Sequence, residues 1–370
     1  MIFQLSKKIE KICNHLLIKE NLYTTELSNK AINDNEISQW INELINIQAG
    51  YPTFNVEFED RPVSLIPILK IQDKREYYEK QHNLGFRGEI LQHLQEITFY
   101  INGSENGNNE YFKQTTFPLK DCQNLDGSKI LSFIKNSRSV LLNTVNLVGN
   151  IFLYPAFEQL IIDIAYFSVQ CAIHVPIQDL IDNLSQLKTI HWPEYVRFNL
   201  LVGNVFDVSL IRDLDLPFSI TVFVFSENDH IELSTIFEDI SENHSINFVP
   251  LYNNHNLSFF ESNIFIDEND LDTMDLTKND IFMRQALNIT DFGKLTVMPD
   301  ETVYANVNNP PLGTIDNSTY SLVYKEFMGG KSWLKIRDQS PCTECLYQWL
   351  CPSPSNYEIA IGKPNLCHVK

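Results

Sequence analysis

From about residue 86 the chain alternates between helical spacing and unbroken apolar runs. The helical stretch RGEILQHLQ precedes EITFYI, SKILSFIKN precedes VLLNTVNLVG, and AFEQLIIDIAYF precedes CAIHV. IQDLIDNLSQL, YVRFNLLV, VSLIRDLD, SITVFVF, HIELSTIFEDISE and SINFVPL continue the series. Apolar runs of this length between helices are what parallel strands buried on both faces produce, with helices packed outside. The expectation is an α/β domain of about six βα units over residues 86–290, a whole or partial (βα)6 barrel.

The flanks follow other patterns. Within residues 1–55, LSKKIEKICNHLL and DNEISQWINELINIQAGY carry apolar residues at helical spacing, the second after an Asn/Asp start signal, which predicts a small helical unit. Residues 56–85 read as a connector with one strand at Ser64–Ile71 and polar material after it. Residues 291–370 begin with KLTVMPDETVYANVNNPPLGTI, a β-hairpin with Pro-Asp in its turn, and end in a cysteine-bearing tail. So short a segment buries little core of its own, so a metal staple there makes physical sense.

Composition narrows the function classes. The 370 residues are 44% apolar, enough for a large core, and carry a formal charge of −19. That charge argues against an electrostatic grip on nucleic acid or an anionic membrane and favours basic or neutral partners. No uncharged apolar run reaches the ~18 residues of a membrane span, and MIFQLSKKIEKICNHLL lacks the order of a secretory signal, so a cytoplasmic location is expected.

In a reducing cytosol, clustered cysteines point to metal ligands or redox groups rather than disulfides. Four of the seven cysteines, Cys342, Cys345, Cys351 and Cys367, lie in the closing stretch SPCTECLYQWLCPSPSNYEIAIGKPNLCHVK. Their spacing is C-x2-C-x5-C-x15-C, four thiolates able to complete coordination around zinc or one 4Fe-4S cluster, and spacing alone leaves both open. Tyr347, Trp349, Leu350, Pro352 and Pro354 would supply apolar bulk and stiff backbone in either case; His368 could replace Cys367 as a ligand, but its adjacency argues against it. Cys13, Cys122 and Cys171 are scattered and are expected as small buried hydrophobes.

Hairpin, C-x2-C-x5-C and a distant last cysteine together resemble the C-terminal SPASM domain of radical SAM (S-adenosylmethionine) peptide-modifying enzymes. The resemblance implies that Cys342, Cys345, Cys351 and Cys367 hold one auxiliary 4Fe-4S cluster. A further tail cysteine of that family, serving a second auxiliary cluster, falls on Ser355. The hairpin keeps Gly313 but has Ala305 and Asn306 where the family places another cysteine. The catalytic half departs further. After EITFYI, the counterpart of the first barrel strand, the family's C-x3-C-x2-C is replaced by NGSENGNNEYFKQ, which has no cysteine. Asn102, Ser104 and Asn106 cannot hold an iron-sulfur cluster, because it needs thiolates. The Gly-Gly-Glu-Pro loop after the second strand is answered by NLVGNIFLYP, with Gly149 and Pro155 but no Glu. Over residues 86–370 the chain thus resembles pseudo-radical-SAM proteins associated with Gly-Gly-leader natural-product precursor peptides. In such systems the N-terminal unit resembles a winged-helix-like leader-recognition element, and residues 1–55 would be an incomplete version of it or a plain helical cap.

Other candidates carry less. His174, in CAIHVP, reads as a satisfied core histidine; His191, Trp192 and Glu194 read as loop packing; GSENGNN reads as a solvated turn without the Lys of a phosphate cradle. DENDLDTMDLTKND lacks the ligand order and glycine of a calcium loop and reads as a solvated acidic loop. No G-x-x-x-x-G-K-[ST], H-E-x-x-H or G-x-S-x-G occurs. The leading expectation is a non-catalytic accessory protein of ribosomally made peptide maturation, binding a precursor peptide or partner maturase, with S-adenosylmethionine not expected. The alternatives are an enzyme working through the auxiliary cluster or the barrel mouth without S-adenosylmethionine cleavage, and a structural protein stapled by zinc.

Overall fold

The computed structural model describes residues 5–17, 25–47, 49–50, 52, 75–86, 89–203, 209–212, 214, 216–241 and 244–369. The chain divides into two compact units, Met1–Lys70 and Ile71–Lys370. The first contains helices Lys7–Leu16, Asn29–Ile32 and Asn35–Asn46. Each opens on a side-chain cap, from Ser6, Ser28 and Asp34 in turn, that accepts from an otherwise unpaired helix N–H. Among its described residues Ile9, Ile37 and Trp40 are the buried apolar ones. The strand expected at Ser64–Ile71 lies outside the described residues.

In the second unit the βα alternation is realised as six parallel strands: β1 (Glu96–Tyr100), β2 (Thr144–Val148), β3 (Gln170–Pro176), β4 (Val196–Val202), β5 (Phe218–Val224) and β6 (Ile246–Pro250). They lie side by side in sequence order, which is the order of a barrel wall and not of a doubly wound sheet. The wall is open, so the architecture is the partial (βα)6 barrel expected. Beyond it β7 (Lys294–Val297) pairs in parallel with β1, and β8 (Thr302–Tyr304) and β9 (Gly313–Thr314) follow antiparallel. The Pro-Asp hairpin is therefore β7–β8, and its first strand extends the barrel sheet past β1.

Burial on both faces holds for β1 and β2 but not for β3 to β5, whose first halves alternate. Ile97, Phe99, Val145, Leu147, Cys171, Ile173, Val175, Phe198, Leu200, Ile220 and Val222 lie in the main core. Their neighbours Thr98, Asn146, His174, Asn199, Ser219 and Thr221 point to the other, inner face, because successive strand residues alternate sides. Apolar residues adjacent in sequence at the strand ends, such as Leu200, Leu201 and Val202, conceal that alternation.

Three local expectations change. RGEILQHLQ gives only the 3-10 turn Ile90–His93. The supposed polar connector contains helix Arg75–Asn83, which seats Tyr78 against Phe327 and stacks His82 on Tyr324 of helix Thr319–Gly329. The acidic stretch at 267–280 is not a solvated loop: Asp267 with Asp270, and Thr277 with Asp280, form capping boxes that start helices Glu268–Thr273 and Lys278–Ala286. Carboxylates in a first turn satisfy free N–H groups and oppose the helix dipole. The hairpin and helix Thr319–Gly329 do not stand alone, since Val303, Leu312, Leu322, Val323, Phe327 and Trp333 join the barrel core.

Candidate functional site

The loop after β1 closes the mouth of the barrel. Its backbone folds on itself through Ser104 N–H to Leu119 O and Asn108 N–H to Pro118 O, both 2.9 Å. A side chain at Gly107 would run into the Leu119 carbonyl, so that close approach requires glycine. Phe112, Leu119 and Cys122 pack with Tyr100, Val148 and Met298 on the inner face of β1, β2 and the end of β7. Tyr111 and Phe117 reach Leu201, Phe223, Val249 and Leu251 at the ends of β4, β5 and β6. One loop thus spans the inner face from β7 to β6.

Ser104, Asn106 and Asn102 are spent inside this plug. Ser104 Oγ donates to Asp179 Oδ2 at 2.6 Å and Asn106 Nδ2 to Asp179 Oδ1 at 2.8 Å. Asp179 is 4% exposed, and burial raises its carboxyl above the ordinary range, against the pull of these two donors. Asn102 Nδ2 donates to the Asn150 carbonyl at 2.7 Å, while its Oδ1 is buried without a partner. Asn108 Oδ1 accepts from the Glu110 and Tyr111 amides, and Asn109 Oδ1 from that of Lys120. The turn read from GSENGNN is present, with Glu105 and Asn106 exposed and Asn102 and Ser104 buried.

Beneath the plug a polar chain crosses the inner face. Ser219 and Thr221 donate to Asn199 Oδ1, Asn199 Nδ2 lies 3.0 Å from His174 Nδ1, and His174 Nε2 lies 3.2 Å from Asn146 Oδ1. Asn146 Nδ2 donates to Glu96 and Thr98. Burial pushes the His174 imidazole down to about 4, so it is neutral at pH 7, with both nitrogens partnered. His191 is exposed, and Trp192 bonds the Leu187 carbonyl and packs between Phe157 and Phe198.

The tail is organised differently. Cys342, Cys345, Cys351 and Cys367 all line one cavity of about 390 Å³, shared with Ile266, Arg337 and Tyr347 among others. None of the four is in a disulfide. A 3-10 turn at Cys342–Glu344 presents the first pair, and a backbone bridge between Ile266 and Cys367 brings in the last. His368 turns away, its Nε2 2.7 Å from the Glu261 carbonyl. Burial pushes the Cys351 thiol up to about 11 and also raises Cys367. Among the described residues no three of His, Cys, Asp and Glu are gathered as a site for a metal ion; the four thiols surround a volume instead of meeting at a point. Of the scattered cysteines, Cys171 is buried as expected, whereas Cys13 and Cys122 are only half-buried.

Arg337 lines this cavity, and Arg284 interacts electrostatically with Cys351 and Arg337. Arg337, 8% exposed, pairs with Glu358 at 2.8 Å and bonds the Pro352 carbonyl. Arg284 bonds the Leu350 carbonyl, and its Nε is buried without a partner. Ser355, Ala305 and Asn306 are engaged in contacts of their own. Ser355 starts helix Asn356–Ile361, its N–H donating to Glu358 at 3.3 Å; Ala305 is buried, and Asn306 Nδ2 bonds Asp291 at 2.9 Å and Asn356 at 2.7 Å. Burial pushes the Asp291 carboxyl up to about 6. None of the arginine contacts was visible in the sequence, because no pattern of spacing ties Arg284 or Arg337 to the cysteines.

No protein-family model matches this chain, and no curated protein matches its sequence. Among solved structures it is similar to Streptococcus suis SuiB bound to its precursor peptide SuiA, with 11% identity and a TM-score of 0.48 over 90% of this chain and 88% of that one. SuiB bound to S-adenosylmethionine gives 11% identity and 0.46 over 98% and 92%. Native anSMEcpe with bound AdoMet gives 12% and 0.43 over 70% and 88%. At such identities no residue role passes from these proteins to this chain. Among the described residues no helix is long and apolar enough to cross a membrane.

Proposed function

We propose that this chain is a non-catalytic, pseudo-radical-SAM accessory protein of ribosomally made peptide maturation, which binds a precursor peptide or a partner maturase and carries one 4Fe-4S cluster on Cys342, Cys345, Cys351 and Cys367. The observation that carries the non-catalytic part is loop 102–123, whose one thiol, Cys122, cannot hold a cluster alone and which is packed onto the inner face by Tyr111, Phe112, Phe117 and Leu119. A site for S-adenosylmethionine would need that space and three thiolates, and the loop offers neither.

The tail residues fit a cluster. Four free thiols face one cavity, and the buried Arg337 that lines it favours an anionic occupant. A zinc ion needs four sulfurs at about 2.3 Å from a single point, and thiols spread around a cavity suit the larger group better. When bound, such a cluster supplies a one-electron redox centre or a clamp on the tail. All four thiols are then used, which leaves no open position for a substrate. Tyr347 and Leu366 cover the cavity, and Arg337 with Glu358 fixes the backbone around it. The peptide partner follows from the resemblance of the tail, and a reducing cytoplasm is the compartment that suits free thiols.

The test is a binding titration of the purified chain against the precursor peptide and the modifying enzyme encoded beside it. Saturable binding to one of them is expected, with no release of 5′-deoxyadenosine when S-adenosylmethionine and reductant are added. Binding to neither, or production of 5′-deoxyadenosine, overturns the reading.

A further inference from the structure

We propose that Arg337 sets the reduction potential of the cluster in the four-thiol cavity, as a buried cation that donates toward a ligand sulfur; the inference rests on the cluster reading above. Arg337 is held from three sides. Its Nε bonds the Pro352 carbonyl, one terminal nitrogen pairs with Glu358 at 2.8 Å, and the other lies 4.0 Å from Cys342 Sγ. Two more donors address ligand sulfurs: Asn365 Nδ2 at 3.9 Å from Cys342 Sγ, and the Val369 amide at 3.2 Å from Cys367 Sγ.

A four-thiolate cluster is an anion that gains one more negative charge on reduction. Positive charge and N–H donation at its sulfurs stabilise the reduced form more than the oxidised one and so raise the potential. The effect is large in a buried setting, where Coulomb terms are weakly screened, and a guanidinium keeps its charge there. A buried Arg–Glu pair on its own adds little stability against its desolvation. A third, negative partner at Cys342 gives Arg337 a role that the Glu358 pair does not. Glu358 acts against it, since its carboxylate neutralises part of the field at the sulfurs. Removing either member of the pair therefore shifts the potential in opposite directions, which a clamp holding the tail together would not do.

The experiment reconstitutes the full chain anaerobically with iron and sulfide, counts iron, and titrates it with dithionite while following the spectrum. In each titration dithionite gives up an electron and the loaded protein takes up one. Arg337→Gln should lower the ratio of reduced to oxidised protein at a fixed solution potential about tenfold, 59 mV for one electron. Glu358→Gln should raise the ratio, and Asn365→Leu should lower it by less than Arg337→Gln does. If Arg337→Gln loses its iron, the upward shift in Glu358→Gln together with the downward shift in Asn365→Leu supports the inference, and their absence overturns it. Variants that hold about four irons yet titrate with the wild type overturn the inference alone. A wild-type chain that takes up no iron overturns it together with the cluster reading.

Discussion

Loop 102–123 and the tail at 337–369 are the two places where thiols are expected of a radical SAM peptide enzyme, and they treat their polar groups in opposite ways. In the loop five polar side chains are spent on the fold itself: Ser104 and Asn106 on Asp179, Asn108 and Asn109 on backbone amides, Gln114 on both backbone groups of Tyr252. The exception is Asn102 Oδ1, pressed against Gly149. In the tail four thiols, none in a disulfide, face one cavity. Buried polar groups are nearly always satisfied in a finished structure. Asn102 Oδ1 apart, the loop's bonded groups need no ligand, whereas the tail sets four thiols around a space that one could fill.

The largest effect should come from the tail. Cys351→Ser removes a proposed ligand whose thiol is pushed up to about 11 by burial, and iron should fall from about four per chain to below one. Limited proteolysis should then cut within 338–369 while the main core resists, because the apolar cluster under the tail, Phe260, Phe265 and Leu366, is separate from that of the barrel. Equal protection of the variant and the wild type would erase the proposed difference between the regions.

A smaller effect is expected at the loop. Phe117→Ala removes packing against Phe223 and should cost about 2 kcal/mol, with faster amide exchange across 102–123 and iron content unchanged. Loss of iron in this variant would mean that loop and tail are not independent.

The smallest effect concerns the inner face under the plug. His174 is protonated in the unfolded chain below about 6.5 but in the fold only near about 4, so its contribution is lost as pH falls through that window, about 2 kcal/mol between pH 7 and pH 5. Asp291 works the other way. Its folded carboxyl, pushed up to about 6, takes a proton before the unfolded one does, so stability is gained over the same range, about 1 kcal/mol. Denaturant titrations should show wild-type stability nearly flat from pH 7 to pH 5. Asp291→Asn should lose about 2 kcal/mol on that descent, and His174→Asn should gain about 1. Parallel curves for all three proteins would remove the inner-face account.

The barrel was legible in the sequence because its strands are long apolar runs: EITFYI, CAIHV, YVRFNLLV and SITVFVF all became parallel strands in order. The inner polar face was hidden because Thr98, Asn146, His174, Asn199 and Thr221 each sit singly among apolar neighbours. Helix Arg75–Asn83 was missed since REYYEKQHN has one buried residue, Tyr78, and hence no periodic stripe. The four cysteines could be picked out by spacing, whereas Arg337 and Asn365 reach the cavity only through tertiary folding. The plug was half legible: the missing thiols could be seen, but not that Tyr111 and Phe117 would reach across to β4–β6.

The central claim is that one cluster site persists and the catalytic one does not. Iron, acid-labile sulfide and zinc measured on anaerobically purified protein test it most directly. The account predicts about four irons and four sulfides per chain, with zinc absent. About eight irons would reveal a second cluster, and a single zinc with no sulfide would show that the tail is a structural knuckle; either result contradicts it.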